Sequence, residues 1–163
     1  MTRVFVPLPS MDTTISTHPD QTFELGKQWA LELDHAWTLG FSGDLGVGKT
    51  RLIQGICHGW GVTGRVVSPT YSLIHEYQAN GKVIHHLDLY RLDGPEAILQ
   101  AGLADYLTGS AKGRVVVEWI DRWLGPFGDS LPAQAPMASP FRWVHLSGCQ
   151  GEERIISYVD FRH

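Results

Sequence analysis

Gly43-Asp44-Leu45-Gly46-Val47-Gly48-Lys49-Thr50 satisfies every specified position of G-x-x-x-x-G-K-[ST], the phosphate-binding P-loop. The spacing has a physical reason. Glycines let the backbone turn tightly and approach a ligand, so that successive N–H groups converge on phosphate oxygens. A helix opening at Lys49 adds the positive end of its dipole. On this reading Asp44, Leu45, Gly46, Val47, Gly48, Lys49 and Thr50 wrap a nucleoside triphosphate. Lys49 reaches the β- and γ-phosphates, and the Thr50 hydroxyl ligates Mg²⁺, a hard cation suited to oxygen donors.

The flanks supply the context the motif requires. Ala36-Trp37-Thr38-Leu39-Gly40-Phe41 reads as a buried strand before it. Leu52, Ile53 and Ile56 are apolar at helical spacing after it, with the helix running out at Gly59 or Gly61. Strand, glycine loop, helix predicts an α/β P-loop NTPase fold, and 163 residues suit one domain, 1–163.

Further along, residues 71–77 and 83–89 flank Asn80-Gly81, the dipeptide best suited to a type I′ hairpin turn. An antiparallel hairpin departs from repeated βαβ units. The expectation is therefore a three-layer α/β/α arrangement around a mixed, mostly parallel sheet that includes this hairpin. Val115-Val116-Val117-Glu118, apolar until its last residue, predicts a central strand. Asp20 is expected to cap a helix carrying Phe23, Leu25, Trp29, Ala30 and Leu33. Residues 95–107 read as a helix broken at Gly102, and 142–146 with 154–159 as a closing strand pair. Residues 1–18, rich in Pro, Ser and Thr, are expected to be poorly ordered at least as far as Ser16. Residues 125–140, with Pro126, Pro132, Pro136 and Pro140, are expected to form a loop.

Composition narrows the partners. Net charge is −4, and Lys27, Lys49, Lys82 and Lys112 are the only lysines, so no basic stripe for gripping nucleic acid alone is visible. No run approaches a membrane span and no signal peptide is apparent, which predicts a cytoplasmic protein. Cys57 and Cys149 fit no metal or redox spacing and read as two buried, reduced thiols. Asn80, the only asparagine, belongs to the turn, so no Asn-Lys-x-Asp guanine-reading motif exists and adenine is the expected base.

A P-loop alone binds; turnover also needs a carboxylate near the metal and a group that orients the nucleophile. Asp88 falls late in the apolar stretch 83–90 and Glu118 closes the run 115–117, positions suited to the strand ends where ligands of open α/β sheets bind, and both are candidates for catalysis and for Mg²⁺. Thr70, in Ser68-Pro69-Thr70-Tyr71, is a candidate switch residue facing the γ-phosphate or metal. His85 and His86 are adjacent on a strand and point to opposite faces, so they are read as packing or hydrogen-bonding residues.

Taken in order, the P-loop, Ser68-Pro69-Thr70-Tyr71, His86-Leu87-Asp88-Leu89-Tyr90-Arg91-Leu92 and Val117-Glu118-Trp119 resemble the TsaE (YjeE) family, over roughly residues 20–160. That resemblance implies a bacterial P-loop ATPase of tRNA threonylcarbamoyladenosine biosynthesis. It implies ATP and Mg²⁺ as cofactors, with Lys49 and Thr50 on phosphates and metal, and Asp88 and Glu118 around metal and water. Trp119 would lie beside the nucleotide, Thr70 in a switch-like segment, and Tyr90 and Arg91 in a functional stretch. Arg154 would approach the nucleotide, and Asp20 or Thr22 the base. The implied partners are TsaD-like and TsaB-like proteins, reset by ATP hydrolysis, with tRNA met only through that complex. The chain departs from the family pattern in its Pro-rich insertion after Leu124 and in Ile120-Asp121. Competing readings are a P-loop small-molecule kinase and a nucleotide-gated binding module without meaningful turnover. The loop at 125–140, the candidate lid under the kinase reading, lacks the Arg or Lys a kinase lid usually carries.

Overall fold

A computed structural model describes residues 9–33, 36–128, 137–138, 140 and 141–162. The P-loop strand sits in the middle of everything. β1 (Met11–Ser16), β2 (Thr38–Ser42), β3 (Ile74–Ala79), β4 (Lys82–Asp88), β5 (Arg114–Glu118), β6 (Phe141–Gly148) and β7 (Arg154–Phe161) form one sheet in the order β1-β7-β6-β2-β5-β4-β3. β6, β2, β5 and β4 pair in parallel, whereas β3 and β7 run against their neighbours. β1 pairs antiparallel with β7 and so points the same way as the parallel centre. The sheet is mixed, as the hairpin signal required. Asn80 and Gly81, at φ 52° and 74°, adopt the left-handed pair of a type I′ turn between β3 and β4.

The two faces carry separate cores. On one, α1 (Pro19–Glu32) and α2 (Lys49–Gly59) bring Trp29, Leu33, Leu52, Ile53 and Ile56 against Leu39, Phe41, Ile84, Val116 and Val144 of the strands. On the other, α3 (Pro95–Gln100), α4 (Ala104–Thr108) and α5 (Asp121–Leu124) cover Leu87, Val115, Val117, Phe141 and Trp143. This is the three-layer α/β/α expectation. Strand alternation decides membership: Val116 faces α2, while Val115 and Val117 face the short helices. Among the described residues no helix is long and apolar enough to cross a membrane.

Three local expectations need correction. Met11–Ser16 is an ordered edge strand, not a flexible tail. Its side chains are largely exposed on both faces, so it carries no apolar alternation to read; backbone pairing with β7 holds it. Residues 1–8 lie outside the described residues. The cap of α1 is His18, whose Nδ1 accepts from the Asp20 N–H at 3.2 Å. Pro19, with fixed φ and no N–H, suits the first helical position and moves the cap two residues upstream of Asp20. Cys149 is exposed, and only Cys57 is buried. The helix expected over 95–107 with a break at Gly102 is found as two short helices with Gly102 at φ 76° between them. Much of 125–140, namely 129–136 and 139, falls outside the described residues.

Candidate functional site

The site is assembled where parallel strands end. Ser42 closes β2, and the chain turns into the P-loop with Gly43 at φ 132° and Gly48 at φ 109°. At Gly43 a Cβ would collide with the Leu146 carbonyl of β6. No side chain fits there, so the loop seats directly on the sheet edge. Gly48 in the left-handed region then launches α2 with Lys49 and Thr50 in its first turn.

Neighbouring strands deliver the acids. Asp88 ends β4 and Glu118 ends β5, and the two are directly paired in register. Both are nearly inaccessible, at 2% and 3% exposure. Each is paired with its own donors, as a buried carboxylate must be. Glu118 accepts from Thr50 Oγ1 at 2.9 and 3.2 Å and from His86 Nε2 at 2.8 Å. Asp88 Oδ2 accepts from Ser68 Oγ at 2.7 Å and Thr70 Oγ1 at 2.9 Å, while Oδ1 takes the Tyr90 N–H at 2.9 Å. Burial pushes the Glu118 carboxyl up, but the hydrogen bonds from His86 and Thr50 outweigh it and hold the group below its ordinary value.

Lys49 is the cation of the cleft. Its Nζ donates to the carbonyls of Gly43 at 2.6 Å and Asp44 at 2.8 Å. Burial lowers its pKa, against the opposing pull of the Glu118, Asp121, Asp88 and Asp44 carboxylates. Trp119 lies over it, with Nζ 4.1 Å from the ring centroid. This placement has a backbone cause. In an extended strand, residues 118 and 119 would face opposite sides of the sheet, but Trp119 takes φ 59° and turns its ring back toward Lys49. Tyr90 packs on that ring at 4.9 Å.

The resulting cleft measures about 300 Å³ and brings together Leu45, Gly46, Gly48, Lys49, Thr50, Thr70, Asp88, Glu118 and Trp119. Ser68 and Tyr90 complete its walls. The oxygen set, one hydroxyl and two carboxylates beside a phosphate loop, suits Mg²⁺, which takes few protein ligands and completes its shell with phosphate and water. Among the described residues no group of three His, Cys, Asp or Glu side chains forms a self-sufficient metal centre.

The family model described as "Threonylcarbamoyl adenosine biosynthesis protein TsaE" matches residues 16–139. The chain belongs to the TsaE family. Among curated relatives, the tRNA threonylcarbamoyladenosine biosynthesis protein TsaE of Haemophilus influenzae is 37% identical over 122 residues, covering 71% of this chain and 76% of that one. The Nostoc TsaE is 39% identical over 63% of this chain and 64% of its own, and the Bacillus subtilis TsaE 35% identical over 64% and 63%. With the Synechocystis TsaE, 44% identical, the alignment spans 46% of that relative. In three dimensions the chain is similar to the crystal structure of YdiB from Bacillus subtilis. The TM-score is 0.65 at 20% identity, over 94% of this chain and 88% of that one, and it establishes the P-loop NTPase fold.

Not every expected residue of this TsaE-family chain lines the cleft. Val47 is buried in the core beneath the loop, and Asp44 contributes its carbonyl to Lys49. Arg154, beyond the region matched by the family model, braces the loop from behind: its Nε donates to the Val47 carbonyl at 2.8 Å. Asp20 pairs with Arg51 at 2.9 Å on the outer flank of α2, and Thr22 is buried against Ser16 at 2.8 Å. Arg91 lies 5.3 Å from the Tyr71 ring, outside the cleft lining. Ser68 went unassigned in the sequence, and His86 was read only as a packing or hydrogen-bonding residue without its partner. Ser68 was legible only as a turn residue beside Thr70. The contact of His86 with Glu118 follows from strand alternation, because His86 shares the face of Asp88 and Glu118.

Proposed function

We propose that this chain is a Mg²⁺-dependent ATPase serving threonylcarbamoyladenosine modification of tRNA, its hydrolysis resetting a complex of TsaD-like and TsaB-like proteins. One observation carries the ATPase reading: Thr50 Oγ1 of the P-loop helix lies 2.9 Å from the Glu118 carboxylate, with Asp88 level beside it. Membership of the TsaE family supports the pathway.

Thr50 and Glu118 would hold Mg²⁺, which when bound would neutralise charge on the phosphoryl oxygens. Lys49 exchanges the carbonyls of Gly43 and Asp44 for phosphate oxygens, a stronger pairing. The loop amides and the start of α2 cradle the same phosphates. Asp88, held by Ser68 and Thr70, orients the attacking water. Trp119 and Tyr90 shield Lys49 from bulk solvent, which strengthens its pull on phosphate. Adenine is the base this chain accepts, since Asn80 is committed to the turn and donates to the Trp60 carbonyl.

Catalysis by the chain alone is slow, because among the described residues Lys49 is the only cation lining the cleft and four carboxylates act on it. The partner proteins complete the site, as trans-acting groups do elsewhere among P-loop enzymes. They also supply the hold on tRNA that a net charge of −4 does not. The protein works in the cytoplasm with them. Phosphate release from ATP, measured with and without TsaD-like and TsaB-like proteins, tests this. Slow release that rises on adding both supports it. Unstimulated turnover that places phosphate on a metabolite replaces it with the kinase reading.

A further inference from the structure

Glu118 is gripped from two sides. Thr50 bonds its carboxylate from the P-loop helix, and His86 bonds it from β4. His86 is fully buried, on a face where its strand neighbour Ile84 and its register partner Val116 are aliphatic. A polar ring in such a place is costly unless both nitrogens are engaged. Both are. A carboxylate only accepts, so Nε2 donates to Glu118. Nδ1 faces the Tyr77 hydroxyl at 3.3 Å.

Tyr77 leads onward. Its hydroxyl lies 3.1 Å from the Val67 carbonyl and 3.3 Å from the Val67 N–H, which donates to it. His75 Nδ1 meets that same carbonyl at 3.2 Å. Val67 immediately precedes Ser68 and Thr70, the two hydroxyls on Asp88. Residues 66–69 belong to no strand, so side chains supply what a ladder would. A run of contacts thus joins the 67–70 segment to Glu118 by a route that avoids Asp88.

We propose that His86 is a positioning residue: Nε2 fixes the rotamer of Glu118 for the metal, and Nδ1, through Tyr77, ties that rotamer to the 67–70 segment. This rests on the Mg²⁺-dependent reading of the site. A hydroxyl that ligates a cation keeps its proton to donate, so Thr50 would restrain the carboxylate from the P-loop side. His86 restrains it from β4, the part played by outer partners of metal ligands in general. Displacing the 67–70 segment, by nucleotide or by a docking protein, tugs on Glu118 through Tyr77 and His86.

The test uses His86→Leu, His86→Gln and Tyr77→Phe. Mn²⁺ binding to each protein–ADP complex is read by electron paramagnetic resonance, with ATP turnover and thermal unfolding alongside. His86→Leu is expected to weaken Mn²⁺ binding about 10- to 100-fold and to lower kcat more than it raises KM. His86→Gln restores an N–H near Nε2 and is expected to bind Mn²⁺ within about threefold of wild type. Tyr77→Phe removes the tie without removing the grip, and a loss of about three- to tenfold is expected. A folded His86→Leu with wild-type Mn²⁺ binding overturns the proposal, as does a folded His86→Gln no better than Leu. Should His86→Leu fail to fold, wild-type Mn²⁺ binding in Tyr77→Phe overturns it. The resonance signal needs no turnover. A wild-type chain that holds Mn²⁺ with ADP yet never hydrolyses ATP removes the ATPase reading and leaves the His86 result standing. A wild-type chain that holds no Mn²⁺ removes both.

Discussion

Asp88 and Glu118 stand opposite one another at the ends of β4 and β5, each with its own principal donors. Glu118 is held by Thr50 and His86, Asp88 by Ser68, Thr70 and the Tyr90 N–H. Two carboxylates side by side in one cleft repel each other, and the donors on each offset part of that cost, one set toward the P-loop helix and one toward the 67–70 segment.

That division makes their substitutions separable. Glu118→Gln and Asp88→Asn keep volume and much of the hydrogen bonding while removing charge. Both are expected to bind a non-hydrolysable ATP analogue within about tenfold of wild type and to lose about 100-fold or more in turnover. The mutants should differ in metal response. Raising Mg²⁺ should partly rescue Glu118→Gln, the acid bonded to Thr50, and leave Asp88→Asn unrescued. Normal hydrolysis by both variants would remove these residues from the mechanism.

Legibility in the sequence followed physical range. The P-loop, its flanking strand and helix and the Asn80-Gly81 turn are short-range signals, written within a dozen residues and readable there. Glu118 and Asp88 were legible because acids ending apolar runs conflict with their surroundings. The Trp119 ring was placed beside the nucleotide by resemblance alone, because its position depends on a left-handed backbone that the residue type disfavours and tertiary contacts impose. β1 escaped for the opposite reason. An edge strand solvated on both faces has no apolar pattern, and its partner, β7, lies more than a hundred residues away in sequence. The role of Arg154 as a brace on the Val47 carbonyl is likewise a long-range fact with no local trace.

The seat of the P-loop helix offers a stability test. A Cβ at Gly55 of α2 would collide with the Phe23 carbonyl of α1 and lie 3.1 Å from the Gly26 Cα. Backbone cannot move aside as a flexible side chain would. Gly55→Ala is therefore expected to destabilise the protein by about 1–3 kcal/mol despite the better helix propensity of alanine. Chemical denaturation with an unchanged slope would measure it. A gain in stability would mean that the two helices do not pack this closely.

The two cysteines should respond differently to pH and to thiol reagents. Burial pushes the Cys57 thiol up to about 12, from an ordinary value of 9.0. The sign follows directly: between pH 9 and 12 the unfolded chain releases this proton and the folded chain keeps it, so stability declines as pH rises through that window. Cys57→Ala should flatten the alkaline decline. In native protein at neutral pH, a disulfide reagent should label the exposed Cys149 alone, slowed because the Glu153 carboxylate beside it raises that thiol's pKa. Cys57 should label only on unfolding. Rapid labelling of both in native protein contradicts the core described for α2.

The charge balance around Lys49 makes nucleotide binding depend on metal more than a phosphate loop alone requires. Glu118, Asp121, Asp88 and Asp44 all lie close enough to act on the Lys49 ammonium, and among the described residues it is the only positive side chain lining the cleft. A triphosphate entering without a cation meets net negative charge at short range in a partly dry site, where such repulsion is weakly screened. ATP affinity measured by calorimetry in EDTA is expected to fall at least about tenfold from its value in Mg²⁺. Lys49→Ala removes the remaining attraction, and about 10- to 100-fold weaker binding is expected even with Mg²⁺ present. The diagnostic result is the combination. Asp88→Asn should bind metal-free ATP more tightly than wild type, because it removes repulsion and leaves Lys49 and the loop amides in place. Equal metal-free affinity in the two proteins would mean that the acids are screened from the phosphates, and that the metal acts on turnover alone.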